Sequence, residues 1–220
     1  MENQERTLTE RESLALITQM INKAKDSFYD TGLSSILWGC VIAFCSLEKL
    51  AEIQFGYRLP FDIYLLTFVA IIPQIFISLQ EKKYKKAKSY NDSLIENLWF
   101  AFGISILLMM FVVNSVFAAW TPVFEDYQKL AAHPPSFRFY EFVLPLFLIL
   151  YGLPTFVAGI GYKFKPMSLG GILCWICCVI AVYTPIKIDL LLTAFSAVCA
   201  WLIPGIMIRS EFKKAKQENV

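Results

Sequence analysis

The sequence predicts an all-α integral membrane protein, six transmembrane helices preceded by a cytoplasmic amphipathic helix. Three observations carry that prediction: where the charges fall, on which side the basic ones collect, and how the aromatic residues bracket the apolar runs. The 220 residues are 57% hydrophobic and hold 20 Lys and Arg and 18 Asp and Glu, with a mean hydropathy of +0.54. The charges cluster, leaving charge-free runs at Thr31 to Leu47, Ile63 to Gln80, Asn97 to Phe124, Phe142 to Tyr162, Pro166 to Ile186 and Leu190 to Ile208. These runs hold 17, 18, 28, 21, 21 and 19 residues. A helix needs about 20 residues to cross the hydrocarbon core, and the runs lack the in-out alternation of a barrel. The expected spans are 31–50, 62–80, 97–120, 141–162, 168–185 and 189–208, followed by a basic cytoplasmic tail at 209–220. A soluble chain of this length has too little surface to wrap six such helices.

Orientation follows from Lys and Arg. With the N-terminus in the cytoplasm, the inner segments hold fifteen basic residues and the outer ones five. Short basic loops stay on the cytoplasmic side. The near-repeat "YKKAK" at Tyr84 to Lys88 and "FKKAK" at Phe212 to Lys216 then closes two helices that both run outward to inward. Aromatic rings at headgroup depth and lysines in the anionic interface explain the repeat, so no nucleic-acid partner is expected. Trp99 and Trp120 bracket the third run, 21 residues or about 31 Å apart, one hydrocarbon thickness.

Residues 1–30 mix acidic and basic groups and lack the apolar region of a signal peptide. "TERE" at Thr9 to Glu12 has capping-box spacing, and Leu14, Ile17, Ile21, Ala24 and Phe28 then recur at three- and four-residue steps. A near-neutral charge balance argues against anionic lipid as the main attraction of this stripe. Leu14, Ile17, Ile21 and Phe28 are therefore candidate contacts to another membrane or cytoplasmic protein, or to a second copy of the chain.

Chemistry is sparse. "CWICC" places Cys174, Cys177 and Cys178 within the fifth run, where thiols act as small hydrophobes, and a zinc site would need further ligands. The single histidine, His133, stands beside Pro134 and Pro135 in the longest outer connection, Thr121 to Tyr140. Glu48, Glu96, Glu141 and Asp189 fall near span ends, where hydration is expected. No catalytic constellation, metal site or cofactor-binding pattern is expected, and the chain reads as a non-enzyme. Small-residue stripes such as Ser35, Gly39 and Ala43, or Gly170, Cys174 and Cys178, mark expected helix contacts. Two functions remain: an interaction protein working through the N-terminal stripe, or a small permease for an uncharged or amphipathic solute. In the permease, Gln74 and Asn114 would line the path.

The strings "ESLALITQMI", "ILWGCVIAFCSL", "AIIPQIFISLQEKK", "YGLPTFVAGIGYKFKPMSLGGILCW" and "AWLIPGIMIR" together resemble an uncharacterised family of small bacterial multi-pass membrane proteins. The resemblance spans nearly the whole chain. It implies placement in the bacterial inner membrane and supplies no catalytic or ligand residues.

Overall fold

The computed structural model describes residues 31–84, 90–131 and 139–218. The candidate contacts Leu14, Ile17, Ile21 and Phe28, and His133, lie outside the described residues, as does most of the first basic repeat. All regular structure among the described residues is helical. It comprises α1 (Leu33–Phe55), a 3-10 turn (Ile63–Leu65), α2 (Leu66–Tyr84), α3 (Tyr90–Leu130) and a second 3-10 turn (Phe139–Phe142). There follow α4 (Val143–Gly161), α5 (Lys165–Ala181), α6 (Ile186–Ala197), a π turn (Val198–Leu202) and α7 (Ile203–Glu218). Among the described residues, four stretches are long and apolar enough to cross a membrane: Ile63–Lys83, Asp92–Leu130, Phe139–Gly161 and Ile186–Lys214. Lys165–Ala181 is a shorter apolar helix, and α1 runs for 23 residues with Glu48, Lys49 and Glu52 in its last two turns.

Local chemistry sets the boundaries. Gly56 ends α1 in the left-handed region at φ 71°, donating its N–H to Glu52 O. Asp62 Oδ1 accepts from Tyr64 N at 3.0 Å and opens the first 3-10 turn. The turn from α4 to α5 is a Schellman motif, with Phe164 N donating to Gly159 O and Lys163 N to Ile160 O. Its left-handed position, usually glycine, is Lys163 at φ 54°. The π turn precedes Pro204, which has no N–H to give the carbonyl four residues back. The ladder shifts register there, and Ile203 N donates to Val198 O, five residues earlier.

The helices divide into an inner group and an outer pair. Half of the apolar window is buried in Phe139–Gly161 and in Ile186–Lys214, against 11% in Ile63–Lys83 and 6% in Asp92–Leu130. The core joins Ile42 and Ala43 of α1, Leu148 and Tyr151 of α4, Cys174, Cys177, Cys178 and Ala181 of α5, Ala194 and Ala197 of α6, and Ala200 and Trp201 of the π turn. The cysteines of "CWICC" thus pack among alanines and aromatic rings. Small residues mark the closest approaches. A Cβ on Gly39 would fall 2.6 Å from Leu202 N, and one on Gly170 would fall 2.5 Å from Ala200 Cα. The α4 and α5 pair is the most intimate, with Gly159 against Ser168 and Gly171 against Phe156. α2 packs on α1, and α3 on α4, as outer layers.

Several helix bounds differ from the spans the sequence predicts: α1 ends at Phe55 rather than 50, and α3 begins at Tyr90 rather than 97. The third span is expected over 97–120 with an irregular connection after Thr121, but α3 continues through Pro122 to Leu130. The missing N–H of Pro122 removes one hydrogen bond without stopping the helix. The fifth span is expected over 168–185, but α5 ends at Ala181, and Pro185 sits at the start of α6.

Candidate functional site

The structure gives the two path candidates separate surroundings. On α2, Gln74 faces α1: Trp38 Nε1 donates to Gln74 Oε1 at 3.0 Å, and Gln74 Nε2 donates to Ser34 Oγ at 3.0 Å and to Ser78 Oγ at 3.1 Å. Both amide N–H groups and the carbonyl oxygen are engaged, and the Trp38 and Ser34 bonds tie α2 to α1, while Ser78 lies one turn along α2 itself. Asn114 is exposed on α3, where its Nδ2 donates to Met110 O at 2.8 Å on the same helix. The two amides share no partner.

A different group of polar residues converges inside the bundle. Asp189 does not sit in a hydrated span end as expected: it is 0% exposed. It lies in the first turn of α6, where the partial positive charge of the helix N-terminus favours a carboxyl group. Thr184 Oγ1 donates to Asp189 Oδ1 at 2.6 Å, while Oδ2 has no hydrogen-bond partner among the described residues. The nearby Lys187 ammonium instead donates to Gln54 Oε1 on α1 at 2.9 Å. Hydration is lost because α1 and α4 both pack on α6.

Asp189, Thr193 and Ser196 are spaced by four and three residues, so they share one face of α6. All three are buried. Thr193 Oγ1 donates to Asp189 O at 2.8 Å, and Ser196 Oγ has no partner among the described residues. Elsewhere in the bundle Ser46 Oγ lies 3.1 Å from Tyr64 OH, and Trp201 Nε1 donates to Thr155 Oγ1 at 2.7 Å. An unpaired buried polar atom costs about 1–3 kcal/mol, so the Asp189 and Ser196 oxygens are the two least satisfied points of this column. A carboxyl oxygen in that position can hold a proton or accept from water. The four-three spacing of these residues was a readable signal, because it places three polar groups on one helical face.

The C-terminal end of α1 carries a ring of polar contacts beyond the apolar runs. Tyr57 OH donates to Glu48 Oε1 at 2.6 Å, which pushes the phenol above its ordinary pKa. Lys49 Nζ donates to Glu52 Oε2 at 2.7 Å, and this bond holds the Glu52 carboxyl below the usual carboxylate range. Of these contacts, the Lys187 to Gln54 bond alone reaches from the end of α1 to the start of α6.

Compared with protein-family models, with curated proteins and with solved structures, the chain matches none.

Proposed function

We propose that the chain is a non-enzymatic, six-span protein of the bacterial inner membrane, with both termini in the cytoplasm, acting through protein contact made by its N-terminal helix. The observation that carries this reading is the stripe Leu14, Ile17, Ile21, Ala24 and Phe28. Each large side chain of that stripe left in water forgoes about 1.5–3 kcal/mol, so a second surface must cover it. The engagement of Gln74 with Trp38, Ser34 and Ser78 supports the same reading, since it makes that amide a packing contact. Six spans follow when α1, at about 34 Å, and α5, at about 25 Å, cross beside the four longer apolar stretches. The excess of inner Lys and Arg sets the orientation.

Two experiments test this. Ile17→Glu with Ile21→Glu leaves the spans inserted but removes the associated protein or second copy on gentle purification; an unchanged complex refutes the reading. Single cysteines at Gln4, Ser89 and Ala132 in a cysteine-free background report sidedness. Only the Ala132 site reacts with an impermeant thiol reagent in intact cells, and labelling at Ser89 refutes the six-span arrangement.

The buried column of Asp189, Thr193 and Ser196 favours a second reading, a small permease for an uncharged or amphipathic solute. That reading requires flux that Thr193→Val or Ser196→Ala abolishes while the N-terminal double variant leaves it intact.

A further inference from the structure

We propose that α3 is a self-association surface on which Asn114 hydrogen-bonds to Asn114 of a second copy of the chain. The apolar window of α3 is only 6% buried within one chain. Lipid chains alone would suit Phe100, Leu107 and Phe111, which are 71%, 54% and 70% exposed. They do not suit Asn114. Between Phe100 and Thr121 four polar side chains point outward, and three are hydroxyls that satisfy their single O–H on the preceding turn: Ser105 on Ala101 O, Ser115 on Phe111 O and Thr121 on Phe117 O. Asn114 has two N–H groups, and one of them bonds to Met110 O. Its second N–H and its Oδ1 have no partner among the described residues.

Depth makes this matter. Trp99 and Trp120 mark the two interfaces, so the midplane falls near residue 110, and Asn114 lies about 6 Å from it, well inside a hydrocarbon half-thickness of about 15 Å. Water is not there to complete the amide.

Symmetry identifies the occupant. Two copies related by a two-fold axis along the membrane normal bring the same residue to the same depth. A carboxamide is its own complement, since Oδ1 of one copy accepts from Nδ2 of the other and the reverse holds. The run from Asn97 to Phe124 carries no charge, so the two faces meet without repulsion. Ala118, one turn from Asn114, leaves room for close approach, whereas Val112 points away on the other side of the helix. An unrelated partner would have to offer a polar group at that one depth; a second copy necessarily does.

The experiment uses the full chain in native membranes with Cys40→Ser and Cys199→Ala, which removes the exposed and half-buried thiols and leaves the buried ones. Ala118→Cys in this background forms a disulfide-linked dimer on mild oxidation, and Val112→Cys does not. Adding Asn114→Leu to Ala118→Cys lowers the dimer yield about tenfold, as loss of an interhelical amide bond of about 1–2 kcal/mol requires. Asn114→Gln, which keeps the amide, retains most of it. Deleting residues 1–27 leaves the cross-link in place, which separates this surface from the N-terminal contact. Equal cross-linking at positions 112 and 118, a yield indifferent to Asn114→Leu, or loss on deleting residues 1–27 overturns the proposal.

Discussion

Gly170→Ala is a stringent test of how α5 is seated. The added methyl would lie 2.5 Å from Ala200 Cα and 2.9 Å from Ala200 Cβ, both closer than carbon atoms approach in folded proteins. Because the nearer atom is backbone, no rotamer change relieves the clash, and α5 must shift away from the π turn. Overpacking of this kind costs about 1–3 kcal/mol, and a backbone obstacle places it at the upper end. Alanine returns about 1 kcal/mol of helix propensity, so the net loss is about 2 kcal/mol, roughly a 30-fold change in the folding equilibrium constant. The assay is reversible unfolding in mixed micelles by denaturing detergent, followed through tryptophan fluorescence. Ala200→Gly on its own costs about 1 kcal/mol of helix propensity. Combined with Gly170→Ala it takes away the obstructing methyl of residue 200 and leaves the backbone obstacle in place, so the double variant is less destabilised than the sum of the singles. Wild-type stability for Gly170→Ala, or strict additivity in the double variant, would refute this account of the packing.

Gln74→Leu strands Trp38 Nε1 and breaks the bond to Ser34, and at about 0.6 kcal/mol for each of these two interhelical bonds it destabilises by about 1 kcal/mol in the same unfolding assay. Asp189→Asn keeps an oxygen for the Thr184 hydroxyl while removing any charge from a fully buried site, so the variant is at least as stable as wild type near neutral pH; a loss above about 2 kcal/mol would show that the carboxylate charge is used. Lys163→Gly relieves a left-handed backbone and raises stability by about 1 kcal/mol, measured as a shift in the unfolding midpoint. Changing Cys174, Cys177 and Cys178 together to Ala loses a few kcal/mol of packing, and the purified protein carries the same metal content before and after.

Helix content was readable from the chain because charge-free length and aromatic spacing are local properties. Where structure and sequence part, the cause is a breaker or a neighbour. Pro166 to Ile186 counts as one charge-free run, yet Pro185 lies inside it and the chain turns after Ala181. The reverse happens at Thr121, where a proline suggests an irregular connection that α3 crosses. Pro204 signals a break in the last span, but its effect is felt upstream, in the carbonyls of the π turn, which propensity does not reveal. The burial of Asp189 is the largest gap. Periodicity assigns it a face of α6 together with Thr193 and Ser196, but its depth depends on α1 and α4, elements distant in sequence. Asn114 stands out in the sequence as an amide within an apolar run, and only the fold shows that it faces outward.

The π turn also bears on how this chain tolerates a change in length. An α-helix advances about 100° per residue, so deleting one residue from most helices swings everything downstream onto a new face. Val198–Leu202 already accommodates one residue more than an α-helical turn. A single-residue deletion there, sparing the packed Ala200 and Trp201, returns the turn to α-helical register and leaves both flanks in phase. Asp189 and Thr193 stay inward before it, and Ile208, 1% exposed, stays inward after it. The same deletion within Ile203–Ile208 would carry Arg209 and the basic end of α7 a quarter-turn around the helix. Within the last helix, this segment is where removing one residue changes the facing of the downstream side chains least.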